Sequence, residues 1–159
     1  MILAKTVLLL AALVAPNQPI AVAVTVQPGA VKSRVAAFDA AMLRQALVRE
    51  LVAAGIAVGS SPDLPRLVVL VDAVDPGNRL ALDQTATLSV TASFLQPGAP
   101  DRPASNVTIP PASCAARAKF SLLNTPGDRA RLALARCIDQ LALQITGSLT
   151  GTSGSVPVH

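Results

Sequence analysis

The chain has 159 residues, a length typical of one ordinary domain. Hydrophobic residues make up 52% of it, aromatic residues 2% and charged residues 14%. This composition predicts a globular core built from Ala, Val and Leu, and it excludes a collagen, a coiled coil and a disulfide-dense mini-protein. The one histidine is the last residue, His159, which leaves little for metal or acid–base chemistry.

The formal net charge is +4, from 13 basic and 9 acidic residues. The basic residues stand singly, interleaved with acidic ones, and no aromatic stacking platform accompanies them. Proteins that bind single-stranded nucleic acid combine both features, so we expect no nucleic-acid binding. Two explanations of the positive balance remain: a weak interaction with anionic lipid headgroups, or a solvated basic surface.

The N-terminus has the layout of a secretory signal. Lys5 precedes a run of ten residues (6–15, TVLLLAALVA) that suits a signal h-region and is shorter than the roughly 20 residues of a membrane span. A small-x-small site follows at Ala21–Ala23, so we predict a signal peptide over 1–23 and a periplasmic or secreted protein. The alternative is that residues 20–26 (IAVAVTV) form a buried strand, half of which this cleavage would remove. The exact site therefore stays open.

No cysteine lies near the h-region, and no later apolar run approaches spanning length. We therefore expect no lipid anchor by that route and no membrane span after processing. The two cysteines, Cys114 and Cys137, lie in the predicted mature chain. In an oxidising compartment they predict one disulfide, and two buried free thiols are the alternative.

The spacing of apolar residues predicts a first helix from about Ser33, a candidate N-cap, to Ala54, with Gly55 ending it. Its expected buried stripe consists of Ala36, Ala40, Leu43, Leu47, Leu51 and Ala54. A second apolar group, Val35, Phe38 and Met42, lies on another side of this helix. Either the helix packs between two layers of its own domain, or this group is an exposed patch for a partner or an apolar ligand.

Two consecutive strands follow. Residues 67–75 (LVVLVDAVD) predict a central strand buried on both faces. The next segment alternates strictly and predicts a strand that pairs antiparallel with the first. Its core face consists of Ala86, Leu88, Val90, Ala92 and Phe94, and its wet, hydroxyl-bearing face of Thr85, Thr87, Ser89, Thr91 and Ser93.

A Pro-rich loop at 96–105 precedes another extended segment at 106–111. Further on, Ala116, Ala118, Phe120 and Leu122 alternate with Arg117, Lys119 and Ser121. Because charged residues occupy one phase of this alternation, we predict a strand near an edge of the sheet.

The last helix has a clear start signal, with Thr125 as N-cap, Pro126 at N1 and Asp128 at N3. The predicted buried stripe is Ala130, Leu134, Cys137, Ile138, Leu141, Ile145 and Leu149. The residues predicted to face water are Arg129, Arg136, Asp139, Gln140 and Gln144. Residues 150–159 predict a disordered tail.

The order of elements, β-α-β-β-β-α, predicts an α+β two-layer sandwich. We expect an antiparallel-biased sheet of about four strands with two helices on one face, in one domain over residues 24–149.

The residues offer little to catalysis. No Ser or Cys has a supporting base, GxSxG is absent, and no glycine loop for phosphate precedes a helix. Asp72 interrupts an apolar strand, and we expect an ion pair with an arginine there rather than a hydrolytic or metal role. Asp75 opens a Pro-Gly turn. We therefore predict a protein that is not an enzyme and uses no cofactor and no metal.

The arrangement resembles small envelope α/β proteins of Gram-negative bacteria. The stretches that carry the resemblance are 47–58 (LVRELVAAGIAV), 66–72 (RLVVLVD), 85–94 and 129–145. Two groups are similar in layout: the lipopolysaccharide-assembly lipoprotein of the outer-membrane translocon, and the auxiliary lipoproteins of ABC-type intermembrane lipid transport. Those proteins are anchored through a cysteine that this chain lacks at the corresponding place. The resemblance implies an envelope compartment and binding rather than catalysis.

We therefore expect a non-catalytic periplasmic binding or assembly module that engages an envelope protein partner through its sheet face or a strand edge. The alternative is a small carrier that holds a lipid or another apolar ligand between helix and sheet, beside Phe38, Met42 and Phe94.

Overall fold

The computed structural model describes residues 18–31, 38–78, 81–101 and 103–151. Its elements are, in chain order, β1 (Ala21–Val26), α1 (Ala40–Ala53), β2 (Arg66–Asp75), β3 (Gln84–Gln96), β4 (Ser105–Ala118) and α2 (Pro126–Thr150). The predicted α+β class and the predicted order of elements are confirmed. The predicted signal and tail lie mostly outside the described residues, and both stay predictions.

The four strands form one mixed sheet in the order β1-β2-β3-β4. β1 pairs parallel with β2, because the chain crosses over between them, and the remaining pairs are antiparallel, as short connections dictate. Edge strand β4 has one extra residue relative to β3 between Ala112 and Ile109, where Pro110 and Pro111 lie. A bulge at an edge is a place where proline is tolerated, since no ladder hydrogen bond is lost there.

One hydrophobic cluster forms the core. In β3 every second residue from Ala86 to Phe94 is at most 2% exposed, because successive side chains of a strand point to opposite faces. The cluster also contains Leu43, Leu47 and Leu51 of α1 and the predicted apolar stripe of α2 from Leu134 to Leu149. Ala130, the first residue of that stripe, is buried as well. α1 contacts β1 and α2, and α2 contacts β3 and β4.

The predicted burial of both faces of β2 is wrong. Leu67, Val69, Val71 and Val74 are fully buried, while the residues of the other phase, from Val68 to Asp72, are only half-buried. β2 is central because it pairs on both sides. The hydrophobicity of its second phase had indicated a covering layer, and that phase is instead only half-buried.

The first helix begins later than its sequence pattern predicts. Asp39 is extended (φ −116°, ψ 122°) and its side chain accepts a hydrogen bond from the backbone N–H of Ala41, so Asp39 is the N-cap. Within the described residues α1 therefore starts at Ala40. Ser33 and Ala36 lie outside those residues, and Ala54, predicted in the buried stripe, is exposed.

The last strand is also shorter at its C-terminal end than predicted. β4 ends at Ala118, and the backbone N–H of Phe120 donates to Asp83 instead of continuing the ladder (3.1 Å). Phe120 and Leu122 are therefore not strand residues. The predicted exposure of Arg129 is wrong as well: it is 4% exposed, and its guanidinium donates to the carbonyl oxygen of Asn124 (3.1 Å).

A disulfide joins Cys114 of β4 to Cys137 of α2, with the two Cα atoms 5.4 Å apart. Both residues are buried. The bridge fixes the edge strand to the helix that packs against it, and the alternative of two free thiols is excluded.

Helix side chains also cover backbone groups of both edge strands. Arg44 of α1 donates to the carbonyl oxygen of Val22 in β1 (3.3 Å). From α2, Arg136 donates to the carbonyl oxygen of Arg117 (2.8 Å) and Gln144 to that of Ser113 (3.2 Å), both in β4. Uncovered edges invite pairing with another chain, and these contacts reduce that exposure.

The buried residues of β1 yield a first prediction. A chain that begins at Val24 lacks Ile20 and Val22, which are 1% and 7% exposed in the core. Compared with a chain that begins at Gln18, we expect its free energy of unfolding to be lower by about 3–5 kcal/mol, because each large buried side chain contributes about 1.5–3 kcal/mol. Urea unfolding measures the difference. Thr25→Ala, at an exposed position of β1, is the control, and equal midpoints for the two chains would contradict the prediction.

The disulfide yields a second. Replacing both cysteines by alanine should lower the free energy of unfolding by about 3 kcal/mol, because the bridge closes a loop across a sequence separation of 23 residues. The wild-type protein should lose a similar amount on reduction, whereas Cys114→Ala/Cys137→Ala should not respond to reductant. Thermal melts with and without dithiothreitol test this prediction. A wild-type melting temperature that is the same with and without dithiothreitol would disprove it.

Candidate functional site

The five hydroxyl residues of β3 lie on the side of the strand opposite the core. Thr85 and Thr87 are exposed, and Ser89, Thr91 and Ser93 are half-buried. The neighbouring strands surround them with short side chains. In register, Ser93 lies beside Val68 and Thr108, and Ser89 lies beside Ala73 and Ser113. We call the surface formed by these residues of β2, β3 and β4 the open face. The β3 residues at the centre of the open face all have short side chains.

Asp72 places a carboxylate within the open face. Asp72 occupies a bulge, because β2 has an extra residue relative to β3 between Val71 and Ala73. The hydroxyl of Thr91 donates to its Oδ2 at 2.7 Å. The hydrogen bond that the structure gives this carboxylate thus comes from a threonine of the open face, and not from the arginine that we expected from the sequence. A bulge re-aims a side chain, and here it brings the carboxylate to a hydroxyl on the next strand.

Two concave regions adjoin the open face. A shallow depression of about 310 Å³ lies over the middle of β3 and β4 and includes Thr87, Ser89, Ser113 and Ala115 in its lining. A larger groove of about 420 Å³ lies at the end of the sheet where β2 begins, and its polar lining residues are Arg66, Gln96, Ser105 and Asn106. Both regions are open to solvent. Pockets for small molecules are usually enclosed on most sides, so the shape of these regions is more typical of a surface that contacts a macromolecule.

The apolar patch predicted on the first helix is spread over different environments. Val35 lies outside the described residues. Phe38 packs against the core cluster, Met42 is 41% exposed, and Phe94 is 1% exposed within the core. Neither of the two concave regions above is lined by Phe38, Met42 or Phe94. A ligand or partner at this patch stays a prediction.

The described part of the chain contains no group of three or more His, Cys, Asp and Glu residues arranged to hold a metal ion. Across the same residues, no helix has both the length and the apolarity that crossing a bilayer requires.

Two carboxylates hold the loops at the end of the sheet where β3 begins. Asp83 accepts a hydrogen bond from the backbone N–H of Phe120 and forms an ion pair with Arg117, and these contacts lower the pKa of its carboxyl group. Asp128 accepts from the hydroxyl and backbone N–H of Thr125 in a capping box, which lowers the pKa of Asp128. The sequence pattern predicted the Thr125 cap correctly. No local signal indicated the Asp83–Phe120 contact, because 37 residues separate the two.

Two solved structures share the fold over most of both chains. A hypothetical protein from Chlamydia trachomatis superposes with a TM-score of 0.52 at 8% sequence identity, covering 84% of this chain and 98% of its own. A protein of the DUF330 family from Xanthomonas campestris superposes with a TM-score of 0.50 at 18% identity, covering 89% and 92% respectively. At these identities the likeness establishes the fold alone.

Bacterial lipoproteins are also among the similar structures. Rare lipoprotein B from Shewanella oneidensis has a TM-score of 0.45 and 13% identity, with 83% of this chain and 95% of its own covered. A similarity at this level carries no argument about role. No known protein family and no curated protein matches the sequence. The specific resemblance to a lipopolysaccharide-assembly or transport-auxiliary lipoprotein stays a prediction.

The lowered pKa values yield a third prediction. A carboxyl group whose pKa is lower in the folded state contributes stability that is present above its unfolded pKa of about 4 and is lost as the pH falls through the folded value. We therefore expect thermal stability to decrease below about pH 4, and Asp83→Asn to show a smaller decrease than the wild-type protein. Melting temperatures between pH 7 and pH 2 measure both. An Asp83→Asn profile parallel to the wild-type profile throughout would contradict the assignment.

Proposed function

We propose that this protein is a non-catalytic module of the bacterial cell envelope that binds a protein partner through the open face. Both helices, in this proposal, cover the opposite face of the sheet. The single core cluster supports that placement, because it contains buried side chains of both helices and only one phase of β3. The observation that carries the proposal is the open face itself: a continuous row of five Ser and Thr residues along β3, flanked by short side chains of β2 and β4 at Ala73, Thr108 and Ser113.

Two features support export of the protein and hence an envelope location. Small exported domains use disulfides because oxidising compartments preserve them, and the chain contains one between buried residues. The apolar run at 6–15 after Lys5 provides the route. Catalysis finds no comparable support, since the carboxylates described above are engaged in hydrogen bonds that stabilise the fold.

The open face suits a protein partner better than the strand edges do. Strand addition needs a row of available backbone groups. Here Arg44 and Arg136 of the two helices donate to the carbonyl oxygens of Val22 and Arg117 in the edge strands. In β4, Pro110 and Pro111 also lack a backbone N–H that a new strand could use. The open face, in contrast, offers hydroxyl groups as donors and acceptors over Ser, Thr and Ala, which a flat partner surface contacts without rearrangement of long side chains.

A double substitution tests this function. Thr85→Glu with Thr87→Arg places a long charged side chain opposite Arg117 and another opposite Asp75. Each new charge thus faces an opposite charge, so we expect the melting temperature to stay within a few degrees of the wild-type value. The same long side chains make the open face uneven, and partner binding should fall at least tenfold.

Photo-crosslinking from Ser93 on the open face, in cells that export the protein, provides the measurement. We expect a discrete crosslinked species from Ser93 that the double substitution abolishes. A crosslinker at Gln140, exposed on α2, is the matched control and should give no such species. Equal crosslinking from both positions, or a Ser93 species that persists in the double variant, would rule out the open face as the binding surface.

A further inference from the structure

The turn between β4 and α2 exposes two leucines almost completely. Leu122 and Leu123 are each 93% exposed. The backbone N–H of Asn124 donates to the carbonyl oxygen of Ser121 (3.1 Å), so the two leucines occupy the central positions of a β-turn. Residues at the centre of a turn project outward. Exposed leucines are ordinary when they stand singly, but two adjacent leucines at the tip of a turn form a distinct apolar projection.

The neighbouring loop enlarges this projection. Leu82 is 72% exposed and precedes Asp83, whose Oδ1 accepts from the backbone N–H of Phe120. Phe120 is 48% exposed. The Asp83 contact therefore brings the two loops together, and we call Leu82, Phe120, Leu122 and Leu123 together the leucine tip.

Several contacts fix the leucine tip in place. Arg129, although charged, is only 4% exposed, and it donates to the carbonyl oxygen of Asn124 while its guanidinium lies 5.3 Å from the centre of the Phe120 ring. The hydroxyl of Ser121 accepts from the backbone N–H of Leu123 (3.3 Å). A buried arginine and a capped helix thus hold the turn in a conformation that keeps both leucines in water.

Positive charge surrounds the leucine tip. Lys119 and Arg131 are exposed in the segments on either side of it, and Arg129 is buried beside the ring of Phe120. Arg117 pairs with the Asp83 carboxylate, while Asp128 keeps its negative charge, so the cations of these segments outnumber the anions. The first turn of α2 adds the positive end of the helix dipole. The whole chain has a net charge of +4. An apolar projection surrounded by cations is complementary to a surface with phosphate groups outside and hydrocarbon beneath.

We propose that the leucine tip inserts into the interface of a bilayer that contains anionic phospholipids. The leucines then enter the boundary of the acyl chains, and Lys119 and Arg131 lie at the level of the phosphates. A bilayer fits the geometry better than a protein does, because a stable protein interface needs about 800 Å² of complementary surface on each partner, and a narrow turn provides much less. A fluid lipid surface demands no shape complementarity.

The leucine tip adjoins one end of the open face. Thr85, at that end, pairs with Arg117, which forms the ion pair with Asp83. Ser93, at the other end of the open face, lies roughly 25 Å further along β3 at about 3.3 Å per residue. Lipid binding is tested at Leu122 and Leu123 and partner binding at Ser93, so the failure of one proposal is distinguishable from the failure of the other.

The absence of tryptophan from the chain makes a sharp experiment feasible. Leu122→Trp introduces a single fluorophore at the leucine tip, and Leu143→Trp places one at a leucine on α2 that is 58% exposed. With vesicles of phosphatidylglycerol and phosphatidylcholine, we expect the emission of the first variant to shift to the blue and that of the second to stay unchanged. The shift should shrink in high salt and with vesicles of phosphatidylcholine alone.

Co-flotation of the otherwise unmodified protein with the same vesicles provides a second readout. The double variant Leu122→Ser/Leu123→Ser should reduce the fraction of protein that floats with the vesicles at least tenfold, and the control variant Leu143→Ser should leave it unchanged. Because all three side chains face solvent, neither variant should change the melting temperature by more than a few degrees. A Leu122→Trp emission that ignores anionic vesicles, or flotation of the double serine variant at the wild-type level, would overturn the proposal. A discrete protein crosslink from a photo-crosslinker placed at Leu122, together with no vesicle binding, would overturn it in favour of a protein partner.

Discussion

The strict alternation of β3 is the constraint on which the other elements depend. Five side chains, one at every second position from Ala86 to Phe94, are almost completely buried, and the residues between them are hydroxylated. A slip of one residue in either neighbouring strand would put the buried phase of that strand on the same side as the hydroxyls of β3, so the register on both sides is tightly specified. The helices pack on a surface of Ala, Val and Leu, which explains how a chain with so few aromatic residues fills its core.

The edges of a small sheet are its weak points, and this chain protects them with groups from the helices. The Cys114–Cys137 bridge ties β4 to α2, and Arg136 and Gln144 of the same helix donate to carbonyl oxygens of β4. Arg44 does the same for β1. These contacts stabilise the sheet against pairing with other chains. This protection is the reason why the proposed function assigns the partner to the open face and not to a strand edge.

The two proposed surfaces follow from different physical properties. The open face is rich in hydroxyl groups, which suits directional hydrogen bonds to a partner of fixed shape. The leucine tip is narrow, fully exposed and apolar, and buried Arg129 holds it out while cations surround it. A hydroxyl-rich surface gains little from hydrocarbon, and two projecting leucines gain little from a flat polar partner.

The sequence by itself determined the features that rest on local patterns. The two phases of β3, the cap at Thr125 and the buried stripe of α2 follow from periodicity and from the chemistry of helix starts, which short stretches of chain contain. The tertiary structure alone decided what depends on distant partners. Asp83 ends β4 early by accepting from Phe120. Arg129 was predicted to be exposed because it is charged. It is buried because its guanidinium donates to the carbonyl oxygen of Asn124 and lies over the ring of Phe120. The half-burial of the second phase of β2 was not predicted. A continuous apolar run indicates that a strand is hydrophobic on both sides, but it does not indicate whether a second layer of the fold covers both sides.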